Sequence, residues 1–349
     1  MTPALAETVT AAASADGTPR RSRAARAARL AVFAAASLAC TQLLRALDLA
    51  RVGEILGRVG PALGLAVIPF ACGIVLEGFG WRSLLTVLGF DVPLATALRL
   101  AAGAEAARLT LPGGGAAGDA VRAALFCGAA RAPSSAGVTV LAVRKLSHLG
   151  SQGVYLLAAA LFGGGLYATL GAAGRALETA TAVVGAAFMA AAVVLGLALV
   201  HGSLATRVER WLARVARGWF AETVERRREG YAAVDAGLRG LLHRGGASHA
   251  LDVSLGTALL GWFVEAGESY LLLRLLGAPL GIGEALALEA LVSVARAAAF
   301  AVPGGLGVQD FGYHALLHGA GEPVAAAFVL MKRARDVFWV TVGLALSRL

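Results

Sequence analysis

Long apolar segments, separated by shorter basic ones, run along most of the chain. Those long enough to cross about 30 Å of hydrocarbon lie at roughly 29–47, 60–79, 134–162, 177–200, 249–277 and 323–347. Two further apolar regions, about 93–128 and 283–320, are each interrupted by Pro-Gly-Gly. Proline removes a backbone donor and glycine is flexible, so each interruption predicts a broken hairpin instead of an unbroken helix. The pattern predicts an all-α polytopic membrane protein with about six to eight transmembrane helices.

The composition supports lipid as the solvent of this chain. Of its 349 residues, 58% are hydrophobic and only 15% are charged, whereas soluble domains are nearer half apolar and a quarter charged. The net charge of +9 comes from arginines that flank apolar segments, which indicates membrane topology and not nucleic-acid binding. The scattered Cys40, Cys72 and Cys127 predict neither a metal site nor a disulfide framework, and no cofactor is indicated.

The charged segments divide the chain into predicted parts. Residues 1–28 form a disordered basic cytoplasmic tail, and an uncleaved signal anchor opens the first membrane half at 29–200. A basic linker at 201–247 precedes the second membrane half at 248–349. Trp211, Leu212, Val215 and Trp219 recur at helical spacing in the linker. This spacing predicts either an amphipathic helix on the cytoplasmic face or a soluble linker helix.

Arginine placement also predicts orientation. The tail and the linker both face the cytoplasm by the positive-inside rule, which gives a multi-pass protein of the cell inner membrane with a cytoplasmic N terminus. Counting the spans between these two segments makes the hairpin at Pro112 enter from the cytoplasm. The connection 277–283 holds no positive charge, which suits the outer side. The hairpin at Pro303 is therefore expected to enter from outside.

The two interruptions belong to an internal repeat. Asp119 and Asp310 each follow the proline of their own Pro-Gly-Gly by seven residues. A basic pair follows in the next apolar segment, Arg144-Lys145 after 32 residues and Lys332-Arg333 after 29. Since the halves have opposite predicted orientations, the sequence predicts an inverted repeat, the arrangement of many secondary transporters.

Ionisable residues within the apolar segments are the candidates for chemistry. Each costs about 2.5–3.5 kcal/mol to insert into a bilayer, so such groups usually face a cavity or a partner. One interpretation is a polar cavity whose arginines and lysines bind an anionic head group; the other is a set of internal salt bridges, such as Arg296 with Glu289. The acids Asp119 and Asp310 either cap half-helices or contact substrate, and the neighbouring glycines either bind a phosphate through their amides or form tight turns. The ionisable candidates are Glu105, Arg108, Arg144, Lys145, His148, Glu265, Glu268, Arg274, Glu289, Arg296, Lys332, Arg333, Arg335 and Asp336.

Catalytic and metal-binding motifs find no support in the sequence. His314 and His318 are four residues apart, but Ala315 stands where a metalloprotease motif needs glutamate. No catalytic triad order, phosphate-binding loop or dinucleotide fingerprint is present. The sequence therefore predicts a protein that is not an enzyme.

Three segments resemble one family of membrane proteins. The stretch from Arg296 to Asp310, which contains Val-Pro-Gly-Gly-Leu-Gly-Val-Gln-Asp, is similar to the second hairpin of the lysylphosphatidylglycerol synthase transmembrane-domain family, also called flippase-like membrane proteins. Lys332-Arg333-Ala334-Arg335-Asp336 fits the helix that follows, and Leu111–Arg122 resembles the first hairpin. The Val-Gln-Asp and Lys-Arg-Ala-Arg-Asp segments are especially similar to the hopanoid-biosynthesis-associated branch. The family usually has Glu where Asp119 and Asp310 stand, and an Asn where this chain has Ala107-Arg108.

The resemblance implies a protein that moves or positions polar lipids between leaflets, with a hopanoid-type amphiphile as substrate. No segment resembles the soluble aminoacyl-transfer domain of the synthases, so lipid lysylation is not implied. The alternative is a non-transporting membrane subunit that docks a lipid-modifying enzyme. Expected partners are membrane lipids and proteins of lipid biosynthesis or export, and not nucleic acid. The predicted substrate-binding residues are Asp119, Arg122, Arg144, Lys145, Glu265, Glu289, Arg296, Pro303, Gly304, Gly305, Gln309, Asp310, Lys332, Arg333 and Arg335.

Overall fold

A computed structural model describes residues 49–111, 114–200, 206–207, 210–211, 228–298 and 305–346. The basic tail, the signal anchor and about half of the linker lie outside the described residues, and so do Pro112, Pro303 and Gly304. Within the described ranges the chain is helical and contains no strand, which confirms the predicted all-α class. The helices are α1 Leu49–Val59, α2 Val67–Val87, α3 Leu94–Thr110, α4 Gly114–Ala130, α5 Ser134–Phe162, α6 Gly164–Thr169, α7 Gly171–Val200, α8 Arg228–Leu242, α9 Ala247–Leu275, α10 Ile282–Ala298, α11 Val308–Leu316 and α12 Glu322–Leu346.

The predicted apolar segments that lie in the described ranges match the long helices, with two shifts. Helices α5, α9 and α12 begin and end within two residues of the predicted bounds. The segment predicted at 60–79 was placed too early, because residues Gly60–Ala66 form a 3-10 helix with proline in its first turn. Helix α2 follows and continues to Val87. The helix predicted at 177–200 begins earlier, at Gly171.

Two helical segments meet simple criteria for crossing a membrane. They are Gly64–Val87 and Gly171–Leu199, with mean hydropathies of 1.6 and 2.5. The other long helices carry the ionisable residues noted above. Their charge, and not their length, distinguishes them from these two segments, since α5 and α9 each contain 29 residues.

Both Pro-Gly-Gly regions lie between two helices, as the sequence predicts. In the first, α3 and α4 pack against each other, and Gly118 of α4 permits the contact because a Cβ there would lie 2.6 Å from the Cβ of Arg108. In the second, α10 packs against α11, which has only nine residues. The first hairpin therefore has two arms of equal length, and the second has one long and one short arm.

The two helix sets on either side of the linker pack in matching pairs. Helices α2–α5 and α9–α12 each contain a long helix, a hairpin and a second long helix. Between the sets, α2 packs against α9, α3 against α12, and α5 against α10. The counterpart of α3 is α10 and the counterpart of α12 is α5, so the α3–α12 and α10–α5 contacts are equivalent. Apolar cores fill both sets, one around Trp81 and Phe126 and another around Tyr313 and Phe328.

Helix α8 is the best-described part of the linker. Its Val234, Leu238 and Leu241 are buried in the core that contains Trp81, so this helix is held against the first half. The amphipathic helix predicted around Leu212–Trp219 lies outside the described residues, apart from the exposed Trp211 at its start.

Candidate functional site

A group of ionisable side chains connects the four helices α2, α3, α4 and α5 of the first half. We call it the first network; its members are Glu77, Glu105, Arg108, Asp119, Arg122, Arg144, Lys145 and His148. Arg122 of α4 is buried and reaches Glu77 of α2 at 3.3 Å and Glu105 of α3 at 3.4 Å. Lys145 of α5 pairs with Asp119 of α4. The network therefore ties both hairpin arms to the long helices before and after them.

Arg144 extends the first network into the second half of the protein. Its Nη2 donates to Glu77 Oε1 at 2.5 Å, while its Nη1 donates to the Ser254 carbonyl at 2.7 Å and to Thr257 Oγ1 at 3.0 Å on α9. Gly80 of α2 provides the space, since a Cβ there would lie 2.6 Å from the guanidinium carbon. Only 2% of the Arg144 side chain is exposed, so this guanidinium is a buried link between α2 and α9.

A second network occupies the corresponding place in the other half. Its members are Glu268 and Ser269 of α9, Glu289 of α10, Asp310 and Tyr313 of α11, and Lys332, Arg333, Arg335 and Asp336 of α12. Lys332 Nζ lies 3.3 Å from Glu268 and 3.1 Å from Glu289, and all three side chains are 2% exposed. Arg335 donates to Glu268 at 2.5 and 2.6 Å. A buried charge is costly unless it is paired, and the members of this network satisfy one another.

The two acids that follow the interruptions have different local roles. Asp310 Oδ2 accepts a bond from the Gly307 backbone N–H at 2.9 Å, and Asp310 Oδ1 accepts one from Arg333 Nε at 2.8 Å. Asp310 therefore caps α11 and also anchors α12, so the N-terminus of α11 already holds an anion. Asp119 lies further into α4 and pairs with Lys145 and Arg122.

The networks match at several positions, including one that the sequence analysis did not identify. Glu77, which was not among the candidates, lies 35 residues before Pro112, and Glu268 lies 35 residues before Pro303. Glu77 binds Arg144 as Glu268 binds Lys332. The common offset from the proline was the available signal.

A third group lies between the halves. Arg108 donates to Glu105 at 2.5 and 2.8 Å, and Arg296 donates to Glu265 at 2.8 Å. Arg108 is close enough to Arg296 and Glu265 for their charges to interact. Glu105 and Arg296 each lie seven residues before their proline. We call these four residues the tip site, because Glu105, Arg108 and Arg296 lie near the ends of α3 and α10 that lead into the two interruptions, and Glu265 of α9 pairs with Arg296.

The proposed Arg296–Glu289 salt bridge is wrong. The two residues are seven positions apart on α10, a rise of about 10 Å, and each is engaged elsewhere. Arg296 pairs with Glu265, and Glu289 accepts bonds from Ser269 and Tyr313. The general interpretation of internal salt bridges nevertheless describes much of what the side chains do.

Charge within the three groups is balanced. The eight carboxylates are Glu77, Glu105, Asp119, Glu265, Glu268, Glu289, Asp310 and Asp336, and the eight permanent cations are Arg108, Arg122, Arg144, Lys145, Arg296, Lys332, Arg333 and Arg335. An anionic head group would therefore compete with carboxylates that are already in place. Competition is easiest where the cations are exposed, as for Lys145 at 57%, Arg108 at 30% and Arg296 at 23%.

Two other predicted substrate-binding residues, Gly305 and Gln309, lie at the turn that leads into α11 and in the first turn of that helix. Gly305 adopts a left-handed φ of +64°, which glycine tolerates without strain. Gln309 is buried beside it. The structure thus brings the described substrate-binding candidates into the two networks, the tip site and the adjoining turn. The ionisable candidate Arg274 lies outside these groups, exposed in the last turn of α9.

An apolar cavity of about 480 Å³ is lined in part by the two helices that carry Glu265 and Arg296, α9 and α10. Phe263 precedes Glu265 by two residues on α9, and Leu286 precedes Arg296 by ten residues on α10. Phe162 and Ile282 are more than half exposed at its rim. The lining residues are Ala158, Phe162, Phe263, Ile282, Gly283 and Leu286.

Metal-binding geometry is not found in the part of the chain that the structure describes. No group of three or more His, Cys, Asp or Glu side chains there is arranged to hold an ion. The acids are committed to arginine and lysine partners instead.

Comparison with known proteins places the whole membrane region in one family. A search of curated proteins finds no match. A family model described as "Lysylphosphatidylglycerol synthase TM region" matches residues 26–344, nearly the whole chain, and fits the helical architecture above. The chain therefore belongs to the lysylphosphatidylglycerol synthase transmembrane-region family and is a polytopic α-helical membrane protein.

Proposed function

We propose that this protein binds the head group of a polar lipid at the tip site and moves that lipid between the leaflets of the cell inner membrane. The lipid class is a polar or hopanoid-type amphiphile, which the resemblance of the Val-Gln-Asp and Lys-Arg-Ala-Arg-Asp segments favours. The protein acts as a carrier and not as an enzyme, and its N terminus is cytoplasmic.

One observation carries this proposal, the pair of accessible guanidiniums on opposite halves. Arg108 and Arg296 approach each other from the two hairpins, and roughly a quarter of each side chain is exposed, against 2% for Arg144 and Lys332. Guanidinium groups bind phosphate and carboxylate through paired hydrogen bonds. A head group placed here would contact both halves at once.

The neighbouring cavity supports an amphiphilic ligand. It begins about 15 Å from Arg296 along α10, as ten residues of helix span that distance. Its apolar lining suits a hydrocarbon portion, while the tip site suits a charged one. A lipid lying along α9 and α10 would satisfy both.

Matching helix contacts support movement and not binding alone. The α3–α12 and α10–α5 contacts are counterparts, as an inverted repeat requires. Transporters with such repeats expose a central site to each side in turn by exchanging the conformations of their halves.

Reconstitution tests the proposal directly. The full chain would be placed in vesicles of phosphatidylethanolamine and phosphatidylglycerol that contain a fluorescent phosphatidylglycerol, and dithionite quenching would report lipid exchange. Losing a charge-assisted hydrogen bond costs about 1.5–3 kcal/mol. The lipid-exchange rate of the double variant R108Q/R296Q should therefore be lower than that of wild type by about tenfold or more.

The matched control is R274Q, since Arg274 is exposed in the last turn of α9. It should exchange lipid at the wild-type rate. Wild-type protein that leaves the labelled lipid in its original leaflet, or equal rates for R108Q/R296Q and wild type, would refute lipid movement through the tip site.

A second candidate function is a membrane subunit that docks a lipid-biosynthesis or lipid-export protein. The dense internal pairing of the second network favours it, because those cations have carboxylate partners already. Affinity purification of the tagged chain in mild detergent would test it. A stoichiometric partner, together with an inactive reconstituted chain, would favour docking over transport.

A further inference from the structure

A histidine shares a carboxylate oxygen with a buried arginine in the first network. His148 lies one helical turn after Arg144 on α5, and its Nε2 is 2.7 Å from Glu77 Oε1. Arg144 Nη2 donates to that same oxygen at 2.5 Å. In the tautomer without a hydrogen on Nε2, the Nε2 lone pair would face the carboxylate and be repelled. We therefore assign the hydrogen of the neutral ring to Nε2, which donates it to Glu77, and Nδ1 is left to accept a proton.

His148 differs from its neighbours in accessibility and in chemistry. One third of its side chain is exposed, against 19% for Glu77 and 2% for Arg144. Imidazole is the side chain that ordinarily changes charge near neutral pH. Among the members of the first network, His148 is therefore the imidazole, and it can be reached from outside the core.

The nearest charged group on α5 itself is Arg144, whose Nη2 lies 3.3 Å from His148 Nε2. Glu77 of α2 and Arg122 of α4 are charged, and α9 presents the neutral Ser254 and Thr257. At this level α7 presents apolar residues and glycine, with its charges in its first turns. Charged groups further along the packed helices are already paired or bonded: Glu105, Asp119, Lys145, Asp235, Glu289 and Arg296.

Protonation of His148 would act on the link between the halves. The imidazolium would be a second full cation on Glu77 Oε1, in direct competition with Arg144. Arg144 joins that oxygen to Ser254 and Thr257 on α9. A proton on His148 therefore weakens the hold of α2 on the arginine that reaches α9.

The second half has no such group at the matching position. Four residues after Lys332 stands Asp336, which pairs with Arg333 and Arg335, whereas four residues after Arg144 stands His148. The two networks thus differ at this position, where the first has an imidazole and the second has a carboxylate.

We propose that His148, held by Glu77, is a proton-binding site that couples a proton gradient to the conformational exchange of the two halves. A proton from water on one side binds Nδ1 of His148, and the same proton is released to water on the other side after the halves exchange. No other bond forms or breaks. This inference rests on the proposed function and names its energy source.

The experiment uses the full chain in the same phosphatidylethanolamine and phosphatidylglycerol vesicles, with a pH-sensitive dye inside. Lipid exchange and internal pH would be followed with equal pH on both sides and with a pH difference of one or two units. A one-proton step can change the rate by up to about tenfold per unit. Wild-type exchange should respond to the gradient and should be accompanied by proton movement.

The variant H148Q keeps a neutral donor toward Glu77 but cannot titrate. It should exchange lipid at a rate that no longer follows the gradient, while H249Q, a change at an exposed histidine of α9, should behave as wild type. Wild-type exchange that ignores the gradient, or an H148Q response equal to that of wild type, overturns proton coupling and leaves lipid transport standing. Absence of exchange under every condition overturns the transport function and the coupling together.

Discussion

Lys332 illustrates how single residues hold the protein interior. Its ammonium lies between Glu268 and Glu289, and the rings of Tyr313 and Phe328 are each 5.7 Å away. Removing one partner of a buried ion pair leaves an uncompensated charge, which costs more than the pair contributed. The ammonium therefore matters chiefly because its absence would leave two buried carboxylates facing each other.

We predict that Lys332→Met lowers the free energy of unfolding by about 3–5 kcal/mol. Thermal unfolding of the purified protein in detergent would measure the change. Lys145→Met is the matched control, because Lys145 is 57% exposed and an exposed pair is worth about 1 kcal/mol or less. Equal losses in the two variants would contradict the assigned importance of burial.

The sequence identified most of the residues in the networks but not how they pair. Arg144, Lys145, Lys332 and Arg333 were recognised as a repeated pair of cations in apolar segments. Their carboxylate partners come from helices that precede the interruptions, and linear spacing does not show which helix face meets which. Glu77 was missed for this reason.

At the scale of elements, close helix contacts depend on individual glycines. Gly343 of α12 faces α3, where a Cβ would collide with the Ala102 carbonyl oxygen and lie 2.9 Å from the Ala106 Cβ. Small residues allow such approaches between membrane helices. The interface between α3 and α12 is therefore set by backbone contact.

We predict that Gly343→Ala lowers the free energy of unfolding by about 1–3 kcal/mol, the usual cost of overpacking. Gly256→Ala on α9 is the control, since no atom lies within 4 Å of a Cβ there. Thermal unfolding in detergent would compare the two variants. A stabilised Gly343→Ala protein would show that the α3–α12 approach is looser than described.

Helix bounds were largely predictable, whereas the inequality of the hairpins was not. Apolar length fixed α5, α9 and α12, and Pro-Gly-Gly located both interruptions. The short second arm α11 ends at Leu316 because a 3-10 turn follows and Gly321 adopts a φ of +98°. The second arm of the first hairpin, α4, continues to Ala130, before Arg131 and Pro133 end it. Apolar pattern alone did not distinguish these two endings.

At the scale of the whole molecule, each half contains a turn that is equivalent to one in the other half. The turn between α2 and α3 contains Asp91, and the turn between α9 and α10 contains Pro279. The predicted opposite orientation of the halves would put these turns on opposite faces of the membrane. The proposed exchange of conformations depends on that opposition.

We predict that Asp91→Cys is labelled from the cytoplasm and Pro279→Cys from outside. Both positions are exposed, and the test would use a membrane-impermeant maleimide on intact cells and on inverted vesicles of a cysteine-free variant. Labelling of both cysteines from one side would contradict the inverted arrangement.

The equal number of carboxylates and permanent cations in the interior has an electrical consequence. A membrane potential does work of about 2.3 kcal/mol per elementary charge per 100 mV. Without an added proton, the three groups together bring no net charge to the exchange of the halves. One added proton on His148 would turn the same motion into the transfer of a single charge, on which the potential of a living cell can act.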